Sequence, residues 1–183
     1  ASFNATDEST IGGAAGTIAI STKGTAIGGA ATANVITNTV RAYVEGSRID
    51  TTLGKVTIAA DAPTQVVGIA VGGSGSSTGS AGAGSLAINL IRNTVLAEIR
   101  TLGATRSQVL AGGDIIVSAS DKARIIGVTG SLALSGKGTA VGVALATNDI
   151  LNKTTARISG STATSSAGVV SVTAGFDSAP GST

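Results

Sequence analysis

Apolar and polar residues alternate with a period of two along much of this chain, and the alternating stretches recur three times at a spacing of about 57 residues. Val40, Ala42 and Val44 share one face of such a stretch, and Arg41 and Tyr43 the other. One repeat later the outward pair is Leu96 and Glu98, and after that Thr155 and Arg157. Val56-x-Ile58-x-Ala60, Ile115-x-Val117-x-Ala119 and Val170-x-Val172-x-Ala174 alternate in the same way. Period two in short runs bounded by Gly, Ser, Asp and Pro predicts β-strands with one buried face. Two further segments per repeat are apolar or tiny on both faces, as in Val66, Val67, Ile69, Ala70 and Val71, or Leu86, Ala87, Ile88, Leu90 and Ile91. Strands of that kind are usually covered on both sides. Each repeat therefore reads as four strands. The first two predict a covered inner layer, and the last two an outer layer with one wet face.

Punctuation fixes the register of the repeats. Gly13, Gly68 and Gly127 each reach an Asn 21 positions later, at Asn34, Asn89 and Asn148. A second Asn follows four residues on, at Asn38, Asn93 and Asn152. Between them lie the turn glycines Gly24, Gly79 and Gly138, in Thr22-Lys23-Gly24, Ser77-Thr78-Gly79 and Gly136-Lys137-Gly138. These markers divide the chain into a polar lead-in (1–11), a first repeat (12–65), a second (66–124) and a third (125–183) whose last few residues read as a worn end. The second repeat carries four extra residues between Thr101 and Gly113, which predicts a surface loop there. The Gly/Ser run from Gly72 to Gly84 aligns with strands in the other repeats and reads as a close-packed strand-turn-strand.

Tandem units of this kind bury their apolar faces against one another. The expected fold is all-β, an elongated, β-solenoid-like stack of three repeats. The alternative is an antiparallel β-sandwich or prism built of hairpin repeats. A unit of about 57 residues is long for a single coil, so two strand levels per repeat are expected on each face, giving a stack of about 29 Å. The short Lys-Gly turns favour hairpins over parallel rungs.

Composition narrows the chemistry. The 42% apolar fraction is Ala, Val, Ile and Leu with two Phe, one Tyr and neither Trp nor Met, and there are 27 Gly. So small a set of side chains requires layers that approach closely. Cysteine is absent, which excludes disulfides and thiolate chemistry, and histidine is absent, which removes the commonest general base and metal ligand. Charged residues make up 12% with a net charge of +2, scattered rather than massed, so no nucleic-acid partner is expected. No apolar run approaches the ~20 residues of a spanning helix, so this segment is not expected to insert in a membrane.

Candidate sites are few. Gly136-Lys137-Gly138-Thr139 departs from a phosphate-binding loop in spacing and reads as a turn. Asn4-Ala5-Thr6 and Asn152-Lys153-Thr154 match a glycosylation pattern that short sequences often meet by chance. Asp50, Asp61, Asp114, Asp121 and Asp177 fall near predicted turns, and no pair is brought together as a hydrolase requires. The chain is therefore read as no enzyme, with no cofactor and no metal. The Asn rows are the sharpest repeated polar feature. They read as a stacked amide ladder or as backbone-bonded bends, against a rival reading as a ligand-binding row.

The phrase Gly-x-Ala-x-x-x-Asn-x-Ile-x-Asn-x-Thr-x-Ala-x-Ile, followed by Val-x-Val-x-Ala, is best seen in residues 83–99 with 115–119 and in residues 142–158 with 170–174. It resembles the repeats of giant bacterial filamentous haemagglutinin-like and leukotoxin-like surface adhesins, over residues 12–176. That resemblance implies a β-rich stalk, exposed at the cell surface or secreted, from a larger protein, and no catalytic residues. Partners expected on this basis are further copies, in an oligomer or filament, and a glycan or protein of a host or neighbouring cell. A carbohydrate-binding module on the same scaffold is the alternative function.

Overall fold

The computed structural model describes residues 1–178. The residues beyond them, which include most of the worn end, lie outside it. The described chain is strand, turn and loop without helix. Its strands are β1 (Ser2–Thr6), β2 (Ser9–Ser21), β3 (Ala26–Glu45), β4 (Arg48–Thr51), β5 (Val56–Ser76), β6 (Ala81–Arg100), β7 (Gln108–Ala111), β8 (Ile115–Ser135), β9 (Ala140–Ile150), β10 (Lys153–Ser159), β11 (Thr162–Ser165) and β12 (Val170–Ser178).

They form three sheets. β1, β2, β5, β8 and β12 make the first, β3, β6, β9 and β10 the second, and β4, β7 and β11 the third. Every ladder between these strands is parallel. The chain visits the first, second and third sheets in turn and returns to the first one strand further on. Each residue thus lies beside its counterpart in the next repeat: Val56 beside Ile115 and Val170, Asn34 beside Asn89 and Asn148, Ile49 beside Val109 and Ala163. Parallel strands paired in this way are consistent with a β-solenoid-like coil.

The expected strand order needs correcting in four respects. The fourth strand of one repeat and the first of the next are a single 21-residue strand, as in β5, and the second and third are likewise one 20-residue strand, as in β6. The reason is phase. Val56, Ile58, Ala60, Ala62, Thr64 and Val66 all point inward without a break, so nothing at Asp61-Ala62-Pro63 ends the strand. The Lys-Gly turns join the first sheet to the second and make no hairpin. The only antiparallel bridge among the described residues is Leu102 with Thr105, in the loop that carries the extra residues. Each repeat contributes one strand level per sheet, not two, so three levels stand about 14 Å high at the usual spacing, and β12 adds a fourth beside the first part of β8.

The fourth correction concerns the layers, which are the reverse of those expected. The second part of β3 and β6 packs on the first part of β5 and β8, closed at the side by the third sheet. This wide half holds the main core: Val40, Ala42, Val95, Ile99, Ile58, Val117 and Val109 among others. The half that looked covered on both sides is a thin blade, formed by β2 and the first part of β3 with their counterparts. Its inner positions are small, and the two sheets touch there. A Cβ on Gly28 would collide with the carbonyl of Gly73, and one on Gly72 with that of Gly84. Its outer positions are apolar and bare, with Ile18 83%, Ile20 81% and Ile27 78% exposed. A sheet that is apolar on both faces needs two covers, and this chain supplies only the inner one.

Candidate functional site

The Asn rows occupy the seam between blade and wide half. Strict alternation along β3 and β6 turns both Asn of each pair inward, with Ile36 or Ile91 between them. Asn34 Nδ2 donates to Asn89 Oδ1 at 2.8 Å, and Asn89 Nδ2 to Asn148 Oδ1 at 2.8 Å. The first row is therefore a continuous amide ladder, and Asn89 at its centre is fully buried. The glycines 21 positions upstream face it across the interior. A Cβ on Gly13 would lie 2.6 Å from Asn34 Oδ1, and one on Gly127 2.7 Å from Asn148 Oδ1. A Cβ on Gly68 would press on the amide of Asn89 still more closely. The spacing seen in sequence is thus a volume relation: the amide fills the space a side chain on the glycine would need.

The second row is built differently. Asn38 Nδ2 donates to Ser9 Oγ at 3.0 Å, Asn93 Nδ2 to Thr64 Oγ1 at 2.8 Å, and Asn152 Nδ2 to Asp121 Oδ1 at 2.9 Å. Asn152 Oδ1 also accepts from the backbone N–H of Asn93 at 2.8 Å. This row ties the second sheet to the first, where the ladder of Asn34, Asn89 and Asn148 ties successive repeats together.

Asp121, expected near a turn, lies within β8, fully buried, in phase with Val117, Ala119 and Ile125. Burial holds its carboxyl above the usual aspartate range, against the lowering effect of the bonds from Asn93 and Asn152, and Asp61 adds to the rise. Its Oδ2 and the Oδ1 of Asn93 are buried without a donor. Its inward phase with the apolar residues of β8 was the signal available in the sequence.

The turn glycines form a column at the blade tip. Gly24 has φ 114°, in the left-handed region that glycine alone adopts freely. Gly79 N donates to Ser76 Oγ at 2.9 Å, and that hydroxyl donates to Gly24 O at 2.5 Å. Ser135 repeats the relay, accepting from Gly138 N at 2.7 Å and donating to Gly79 O at 2.8 Å. The inward serines Ser76 and Ser135 therefore each shape their own turn and clip it to the preceding one.

A charged cluster sits on the outer face of the second sheet. Tyr43, Glu98 and Arg157 are neighbours in one cross-strand row. Glu98 has no exposed surface. Arg157 Nη2 lies 2.8 Å from its Oε2, Arg100 Nη1 3.0 Å from its Oε1, and Arg41 Nη2 3.6 Å away. Arg100 also binds Glu45 at 3.1 Å and lies 5.1 Å from the centre of the Tyr43 ring. Its guanidinium is held further in the charged form, first by the bond to Glu45, with burial opposing. The repeat register was the signal for this cluster, since it places one carboxylate among arginines of three adjacent strands.

Most of these polar groups bond to one another, across repeats and between sheets. Among the described residues no three His, Cys, Asp or Glu side chains gather where they could hold a metal ion. Among those residues no helix is long and apolar enough to cross a membrane. Comparison with family models, with curated proteins and with solved structures finds no match to this chain.

Proposed function

We propose that this chain is a β-solenoid segment of three coils, a structural stretch of the stalk of an extracellular bacterial surface adhesin. The carrying observation is the register. Every repeat lies beside its counterpart in parallel, and the terminal strands of the coil keep one open edge each. β2 and β3 pair on one side only, as do β9 and β10. More of the same repeat could continue the stack from either end, and copies of the chain could join there. The resemblance to filamentous adhesin repeats supports the same reading, as do the interior amides that join successive repeats. The role is mechanical reach and presentation, and no reaction is assigned to it.

The alternative, a carbohydrate-binding module, has less support. Sugar sites commonly stack on exposed aromatic rings, which are scarce in this chain, and the half-exposed ring of Tyr43 already carries Arg100 over one face. The test is a tandem protein in which the three repeats are doubled and then tripled. Electron microscopy should show a rod of constant width that lengthens by about 14 Å for every three repeats. A globule that grows in all directions would overturn the stalk reading. A glycan array run on the same proteins should show no binding, and selective binding abolished by Arg41→Ala would favour the alternative.

A further inference from the structure

The outer face of the blade on the first sheet has the composition of a buried surface. From Val67 to Gly75 on β5, and at the paired outward positions of β2 and β8, every residue is Gly, Ala, Val, Ile or Leu. The polar boundary comes only at Gln65, Lys122 and Arg124. At the centre lies an open hollow of about 420 Å³, walled by Ile18 and Leu132 and floored by Gly73.

The relief of this face is complementary to itself. Large and minimal residues occupy opposite halves of β5, and in the reverse order of β2, about the position of Gly72. On β5 the outward sequence is Ile69, Val71, Gly73, Gly75. On β2 the paired positions are Ala14, Gly16, Ile18, Ile20. A two-fold axis along the stack, passing through this position, turns the face onto an identical one with the strands antiparallel. Val71 then meets Gly73 of the second copy, Ile69 meets Gly75, Ile18 meets Gly16 and Ile20 meets Ala14. On β8 Leu132 meets Gly130, and only Leu134 meets a branched residue, Val128. Such an isologous contact closes on itself.

We propose that two copies of this chain dock laterally through this face, blade against blade, with their stacks parallel. Size supports a second copy as the occupant. The apolar face measures about 30 Å along the strands and about 14 Å across them. With its relief it buries about 1,000 Å² over both copies, the lower bound of a specific interface. A three-coil segment should therefore dimerise weakly, and more coils should dimerise more tightly. This lateral contact is separate from any joining of the ends, which leaves the face bare.

Sedimentation velocity over a concentration series tests the proposal, with circular dichroism confirming that each variant is folded. Val71→Lys places a charge at the centre of the face on an already exposed side chain, and should weaken dimerisation by about tenfold or more. Gly73→Val should weaken it similarly by setting Val against Val. Its own chain tolerates the added Cβ, which meets Thr17 O at 3.4 Å and Ile18 Cγ1 at 3.6 Å. The exchange Val71→Gly with Gly73→Val restores the match across the two-fold, and should recover dimerisation to within about threefold of the original. The chain has no cysteine, so a mixture of Val71→Cys and Gly73→Cys proteins should cross-link faster than either alone. Association unchanged by Val71→Lys would overturn the proposal, as would an exchange variant that is folded but no better than Gly73→Val. A chain monomeric at every concentration would also overturn it. If that monomer bound phosphatidylcholine vesicles, a lipid surface would be the occupant instead.

Discussion

Gly68 and Asn89 occupy one space between them, and the cost of disturbing either depends on the other. Asn89→Ala leaves Asn34 Nδ2 without its buried acceptor and should lower stability by about 1–3 kcal/mol in urea or thermal melts. Gly68→Ala drives a methyl into the amide and should cost about 1–3 kcal/mol. The double variant should be less destabilised than the sum, because the new methyl enters the space the amide has left. Strict additivity in the same melts would show that the two residues do not share that space. Asp121 poses the opposite problem, a buried carboxyl that the fold prefers protonated. Its folded pKa is raised above the unfolded value, so its contribution is complete below the ordinary aspartate range and is lost as pH rises through the folded pKa. Asp121→Asn removes that charge and offers a donor near the unbonded Asn93 Oδ1. It should melt at a higher temperature than the parent at neutral pH, and the advantage should shrink as the solution is acidified toward pH ~4. An advantage independent of pH would exclude the carboxylate charge as its cause.

At the scale of elements, the long strands do two jobs along one length. β6 packs Val95, Ala97 and Ile99 into the main core and, nearer its start, lines the thin blade with Ala81, Ala83 and Ser85. Stability should therefore be concentrated in one half of each strand. Ile99→Ala, fully buried, should cost about 2–5 kcal/mol, whereas Ile18→Ala on the bare blade should change stability by no more than about 0.5 kcal/mol at concentrations where the chain is monomeric. Equal costs in denaturant melts would mean that the blade face is covered within the chain. The inversion of layers has a plain cause. An apolar residue announces that a face prefers cover, and the sequence of one chain does not say whether its own residues or another molecule supply that cover. The alternation itself was legible, because Val40, Ala42 and Val44 must share a face in any strand. The fusion of adjacent strands was legible too, in the unbroken phase from Val56 to Val66, but Asp61 and Pro63 resemble a turn when read locally.

For the whole molecule, the parallel ladders predict a far-ultraviolet spectrum dominated by β structure. Helix content above about one fifth would contradict the fold. Protection should be graded across the stack. Amides of β5 and β6, paired on both sides, should exchange with solvent more slowly than those of the end strands β3 and β9, as hydrogen exchange followed by mass spectrometry can read. Uniform protection would mean that the ends are covered, as in an axial assembly.

The sequence by itself determined the strand character, the repeat length, the shared face of each alternating run and the constant spacing from each Gly to its Asn, because these depend on period-two geometry and on spacing along one chain. Tertiary structure decided that one repeat makes one strand level and that all ladders are parallel. It also decided that Glu98 is enclosed by Arg41, Arg100 and Arg157, and that the blade stays bare on its outer faces. The physical reason is range. Side-chain direction is set by a residue's own backbone, whereas pairing direction and burial are set by what residues 55 or 59 positions away bring alongside, as in the Asn ladder.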